Sequence, residues 1–542
     1  MAVIETVLLL LLAVVVSGAV ARITRIALPL VQIALGAVVV LITGHTIDLK
    51  PDIFFLLFLP PLLFLDGWRI PKEDLFRDRA IILELALGLV LFTVVGLGFL
   101  IWWMIPEMPL PVAFALAAIL SPTDPIAVQA IAARVPIPKR LMHILEGEAM
   151  LNDATGLTCM RIAVLAATTG AFSIGHAVGT FAWLALAGVA VGVLITLAIS
   201  LVKNVISRKW GEDVGAQILI SLLIPFAAYL VAEELHASGI LAAVAAGITM
   251  SFTERGQTQQ LATTRIRRAV VWDTVQFAAN GVIFVILGEQ MPSILARAAE
   301  VVAGTSRPEI WWLAVYVFGI VAALAALRFI WVWTSLKMTL LRRREGPPPK
   351  VGLRLTMVMS MAGVRGAITL AGILTLPFVL ADGSEMPSRN LAIFLAAGVI
   401  IVSLVLATLV LPGLMRNIEL PPEPSHQQEE DRSRVAAANA ALQAIEDKAH
   451  ALSEGKPDPD IYTDIAARLM ALYRQRIETR TRTDEDDIGV SRRLDEIERQ
   501  LRLAGLRAER DELGRLMRAR EIDSDTGKKL VREVDLQELR FL

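Results

Sequence analysis

Two stretches of the chain concentrate groups that could handle ions, Ser121-Pro122-Thr123-Asp124-Pro125 and Glu146-Gly147-Glu148-Ala149-Met150-Leu151-Asn152-Asp153. Both lie within long apolar runs. A carboxylate at the centre of a bilayer helix costs about 2.5–3.5 kcal/mol on insertion scales, so residues retained there mark ion or proton paths by default. Pro122 and Pro125 each lack a backbone N–H and clash with a preceding carbonyl, which predicts an interrupted helix at Thr123-Asp124. Freed carbonyls and the Asp124 carboxylate then face one small volume. Such breaks are tolerated at membrane depth only inside protein or along a watery cavity, and in transporters they build ion sites. Asp124 is equally suited to cap the half-helix after the break or to touch the ion.

Helical spacing sorts the second stretch. Glu148 and Asn152 are four residues apart and share a face, whereas Asp153 lies about 100° further round, over Ala149. The small Ala149 leaves room beside Asp153 for a hydrated or partly stripped cation. An unpaired buried Glu148 would be costly, and Arg328 in a later apolar run is its best candidate partner. Gly363-Val364-Arg365-Gly366-Ala367 is a second candidate break: its glycines permit one, and Arg365 would meet the negative C-terminal end of a half-helix. Glu84 and Arg161 are further interior charges without an assigned role, and Asp66 and Glu289 lie nearer span ends.

The elements that must carry these residues follow from composition. Of 542 residues, 55% are apolar and only 19% charged, with a mean hydropathy of +0.61, against about a quarter charged in soluble domains. Of the 105 charged residues, 50 fall in the last 126 positions. Residues 1–416 thus read as a transmembrane domain and 417–542 as an aqueous tail. Runs long enough to span a bilayer are expected near 3–21, 26–44, 53–67, 79–105, 110–133, 139–168, 173–202, 214–232, 238–252, 268–290, 309–338, 353–380 and 390–415, thirteen in all. Alternate connecting loops hold 22 and 4 Lys/Arg, which puts the N-terminus outside and the tail in the cytoplasm. The first run is expected to be a retained span, since Met1 to Ile4 lack the basic start of a cleaved signal.

With a rise of 1.5 Å per residue, Asp153 sits about 21 Å from the inner end of span six and Asp124 about 15 Å above Arg134. Both lie near mid-depth. Breaks in spans five and twelve are seven spans apart, as two inverted repeats joined by one linking span require. Beyond the Pro-rich exit Leu420-Pro421-Pro422-Glu423-Pro424, the runs Ser433 to Leu452 and Ser491 to Arg520 read as amphipathic helix.

Several function classes fall away. One cysteine, Cys159, permits no internal disulfide and no cysteine-ligated metal. No phosphate-binding loop or dinucleotide fingerprint is present, so no ATP and no cofactor is expected, and a net charge of −1 gives no footprint for nucleic acid. A membrane enzyme would need a nucleophile and a base, which the scattered histidines do not supply.

At these residues the chain resembles the monovalent cation:proton antiporter family, in its NhaP-like sodium/proton exchanger branch. The likeness runs through Pro60-Pro61-Leu62-Leu63-Phe64, Ser121 to Pro125, Glu146-Gly147-Glu148, Asn152-Asp153-Ala154, Asn280-Gly281-Val282-Ile283-Phe284 and Val364 to Ala367. It implies an all-α polytopic fold of inverted repeats with helices five and twelve broken and crossing, and a homodimer. It implies further that Asp153 binds cation or proton, that Thr123, Asp124 and Asn152 line or support the site, and that Glu148 pairs with Arg328. The family often carries Glu directly after Pro-Pro-x-x-Phe and Ser after Gly-Glu; here Leu65 followed by Asp66, and Ala149, stand there. Asp66 is the candidate replacement. The expected function is electroneutral exchange of Na+ for H+ in the cell (inner) membrane, with K+/H+ exchange and a cation channel as alternatives.

Overall fold

The computed structural model describes residues 2–44, 51–124, 139–170, 173–211, 213–255, 262–298, 309–342, 353–378, 384–415, 426–454, 459–481 and 485–538. The chain divides into two compact units, Met1–Glu419 and Leu420–Leu542. The first is built from α1 (Ala2–Thr24), α2 (Leu28–Thr43), α3 (Pro51–Arg69), α4 (Arg79–Met104), α5 (Leu110–Leu120), α6 (Lys139–Thr169) and α7 (Ile174–Trp210). It continues through α8 (Val214–Glu234), α9 (Gly239–Arg255), α10 (Ala262–Ala296), α11 (Trp311–Arg342), α12 (Leu353–Met361), α13 (Ala367–Leu374) and α14 (Arg389–Met415). Among the described residues α1, α4, α7, α8, α10, α11 and α14 are long and apolar enough to cross a bilayer, and α2, α5 and α9 are shorter apolar helices. Helix α6 carries Glu146, Glu148, Asp153 and Arg161 over its 31 residues and falls outside that set. Its lower hydropathy comes from these charged side chains.

Helix ends follow local chemistry. Pro29 and Pro111 occupy first-turn positions where no N–H is needed. Asp213 caps α8 by accepting from the N–H of Gly215 (2.8 Å) and Ala216 (3.4 Å). Gly44 closes α2 in a left-handed conformation, φ 68°. Within α4 the segment Glu84–Leu89 is a π-helical turn, and Gly88 in it lies under the Trp331 ring of α11.

Packing differs between two groups of helices. In one, α2 crosses α10 and α9 crosses α3 and α7 at glycines. A Cβ on Gly36 would lie 2.0 Å from the Val285 carbonyl oxygen, one on Gly288 1.9 Å from that of Ile33, and one on Gly247 2.1 Å from that of Phe64. Backbones therefore touch directly, the small-residue packing that membrane helices use where no hydrophobic drive is available. In the other group α5, α6, α11, α12, α13 and α14 pack around buried charged and polar side chains.

The second unit is helical too. α15 (His426–Ser453) packs with α16 (Pro459–Thr481), and α17 (Glu485–Arg518) with α18 (Ser524–Glu538). Helices at α15 and α17 were expected from the sequence. α16 and α18 are additional.

Candidate functional site

The breaks expected in spans five and twelve meet. Helix α5 stops at Leu120 and Ser121–Asp124 is non-helical; Pro125 and the rest of span five lie outside the described residues. In a continuous helix the Asp124 N–H would donate to Leu120 O. It donates instead to Val364 O, 2.8 Å away in the break between α12 and α13. The carbonyl of Leu120, released by that exchange, accepts from Arg365 Nε at 2.8 Å. Arg365 also donates to its neighbour Gly363 O and is 5% exposed. Arg365 thus does meet the negative end of a half-helix, but its Nε takes the end of α5 across the crossing rather than that of its own span.

A parallel arrangement ends α12. The Met359 carbonyl accepts from Arg328 Nε at 2.9 Å, while Gly363 N–H turns to Ser360 O at 3.4 Å. The same guanidinium grips Glu148 in a two-pronged pair, Nη1 to Oε1 and Nη2 to Oε2, both at 2.6 Å. Side-chain exposures of 4% and 1% put this pair in low dielectric, where each charge holds the other. Glu148 Oε1 also accepts from the Thr123 hydroxyl at 3.4 Å, and Thr123 Oγ1 in turn accepts from Asn152 Nδ2 at 3.1 Å. Asn152 Oδ1 is buried without a hydrogen-bond partner among the described residues.

Beside this network lies a cavity of about 50 Å³ whose wall includes Asp66, Thr123, Asp124, Ala149, Asp153, Asn280 and Thr369. That volume holds a few water molecules. The wall therefore combines three carboxylates from α3, the α5 break and α6 with a hydroxyl on either side of the crossing. Pro122 and Gly366 complete it. Asn152 is not part of this wall: Glu148 and Asn152, one turn apart on α6, face the Thr123–Arg328 network, while Asp153 faces the cavity.

The two glycines of the second break serve space more than backbone freedom. Gly366 has an ordinary φ of −104°, but a Cβ there would fall 2.2 Å from Asp124 Oδ2. A Cβ on Gly363 would come within 3.0 Å of Arg328 Cδ. Gly156 of α6 likewise abuts Pro122, with Cγ 2.4 Å from the would-be Cβ, so the proline that breaks span five is seated against a helix groove.

Sequence reasoning did not single out Asn280 or Thr369 as site residues. Asn280 stood in a motif of the resemblance, and its one polar side chain in Asn280-Gly281-Val282-Ile283-Phe284 was the available signal. Arg161 pairs with Glu233 of α8 at 3.1 Å, and Glu84 is exposed in the π-helical turn; neither lines the cavity.

The fold and site together define a helical, multi-pass membrane transporter in which buried charged and polar groups surround two crossed helix breaks. The chain belongs to the transmembrane sodium/hydrogen exchanger family, whose profile matches residues 8–417. It is 40% identical, over 98% of both chains, to the uncharacterized Na+/H+ exchanger YjcE of Escherichia coli K12. It is 39% identical to the sodium, potassium, lithium and rubidium/H+ antiporter of Bacillus pumilus, over 93% of this chain and 73% of that one. The solved structure of the sodium proton antiporter MjNhaP1 from Methanocaldococcus jannaschii shares the fold, with a TM-score of 0.55 and 17% identity over 77% of this chain and 99% of that one.

Proposed function

We propose that the protein is a secondary active antiporter that exchanges a monovalent cation for a proton by alternating access, with Asp153 as the carrier. The observation that carries this reading is the Asp153 carboxylate in a small cavity at the crossed breaks, shared with Asp66, Thr123 and Asp124. One carboxylate cannot hold both a proton and a cation, so the two loads compete. Thr123, Asp124 and Asp66 share the cavity wall and complete the cation's coordination; Asn152, outside the wall, fixes Thr123 through its Nδ2. Glu148 and Arg328 neutralise each other and stay out of the exchange. Arg365 and Pro122, with Pro125 by its place in the sequence, maintain the breaks. Na+ is the proposed cation, and the broad ion range in the Bacillus pumilus relative's name keeps K+ as the alternative.

Asn152 is neutral, so Asp153 exchanges one proton for one monovalent cation and moves no net charge. The membrane potential is worth about 2.3 kcal/mol per elementary charge per 100 mV, so an uncompensated charge would be conspicuous. The wider proposal is a homodimer of thirteen-span subunits in the cell (inner) membrane. Its N-terminus is outside, and residues 417–542 form a cytoplasmic tail that modulates residues 1–416. Proteoliposomes with an interior pH dye test the core of this. Addition of Na+, K+ or Li+ should move protons, and an imposed potential of either sign should leave the final pH difference unchanged. Ion currents without counter-transport would make it a channel instead.

A further inference from the structure

The tail presents an apolar face that its own hairpin leaves bare. On α16, Ile461, Ile465, Leu469 and Leu472 follow at steps of four, four and three, which confines them to an arc of about 80°. Exposures run from 44% at Ile465 to 56% at Leu472. The adjacent arc, Tyr462, Ala466, Met470, Tyr473 and Ile477, is buried or half-buried, and α15 is the helix that packs on α16. α16 is therefore apolar over about half its circumference and covered over half of that.

The charges beside the bare stripe say what covers it. Asp464 and Arg468 both lie just beyond its Ile461 edge, are exposed and form no ion pair among the described residues. Two α16 helices laid antiparallel, Ile461 opposite Leu472 and Ile465 opposite Leu469, bring each Asp464 within about 2 Å, along the axis, of the other copy's Arg468 on the same flank. The two-fold relation makes this contact twice. A parallel pairing would carry Asp464 and Arg468 of the two copies to opposite flanks of the contact, where they do not meet. The antiparallel arrangement also opposes the helix dipoles favourably.

We propose that α16 is a self-association surface through which the tails of two copies of this chain pair antiparallel. Four residues a side is a small contact for a free dimer. Confinement of both copies to one membrane raises their effective concentration and supports it. This inference is independent of the exchange reading and survives or fails apart from it.

Site-directed disulfide formation in the full chain, kept in membranes, tests it. In a Cys159→Ser background, the pair Ile461→Cys with Leu472→Cys should give covalent dimers on mild oxidation. Either single change should leave monomers, because like positions on the two helices would be about 16–17 Å apart along the axis, beyond disulfide reach. Asp464→Arg added to the cysteine pair should cut the dimer several-fold, and adding Arg468→Asp as well should restore it, with unchanged elution of the detergent-solubilised protein as the folding control. Dimers from Ile461→Cys alone, no dimer from the pair, or indifference to both charge changes would each overturn the proposal.

Discussion

The helices α2, α3, α7, α9 and α10 and the crossing formed by α5, α6, α11, α12 and α13 solve the same problem, association in a solvent as apolar as a protein core, by opposite means. The first group removes side chains: at Gly36, Gly288 and Gly247 the would-be Cβ lies 2.0 Å, 1.9 Å and 2.1 Å from a facing carbonyl oxygen. The second group inserts charge, the Glu148–Arg328 pair and Arg365, where bilayer helices ordinarily exclude it. The first contact is satisfied in one geometry only. The second holds its charges only where partners meet them, and beside it lies the cavity whose Asp153 carboxylate is the proposed carrier. A scaffold and the region proposed to handle ions can thus be told apart by what fills their crossings.

Substitutions can break this contrast. The largest effect is expected from Asp153→Asn: the amide keeps the shape and loses the alternating load, so dye-reported exchange should vanish while thermal stability in detergent is retained. Substantial remaining exchange would move the carrier role to Asp66 or Asp124. Next, Glu148→Ala and Arg328→Ala should each cost about 3–5 kcal/mol by stranding the opposite buried charge. The double change should recover part of the loss, and strict additivity in thermal melts would show that the pair is not coupled. Smallest, Gly288→Ala in the seam should cost about 1–3 kcal/mol by overpacking. Its melting temperature should fall while the cation dependence of whatever protein inserts stays as before. A shifted cation preference in that variant would erase the distinction between the regions.

Much of this was legible in the sequence because the membrane makes polar residues informative. Two prolines three apart located the first break, the cost of an isolated charge nominated Arg328 for Glu148, and helical spacing separated Asp153 from the face of Asn152. What stayed hidden was decided between distant segments. Nothing local says that the N–H of Asp124 answers Val364, that Arg365 serves Leu120, or that Gly366 is small for the sake of Asp124. Asn280 and Thr369 reach the cavity from α10 and α13, where a lone Asn or Thr in an apolar run reads as ordinary. The bare stripe of α16 was obscured by the charges interleaved with it.

The exchange of partners at the crossing also bears on how the protein is made. Leu120 O and Arg365 Nε are 245 positions apart, so during synthesis the end of α5 enters the membrane long before its partner exists. An unsatisfied carbonyl and N–H in hydrocarbon cost several kcal/mol, and in the nascent chain only water can answer them. The crossing is therefore expected to be among the last parts to close, and the first half of the protein to wait around a hydrated gap. In chains truncated before Gly363, a cysteine at Ser121 should react with a water-borne thiol reagent. In the complete protein, where Ser121 is buried, that reactivity should be lost.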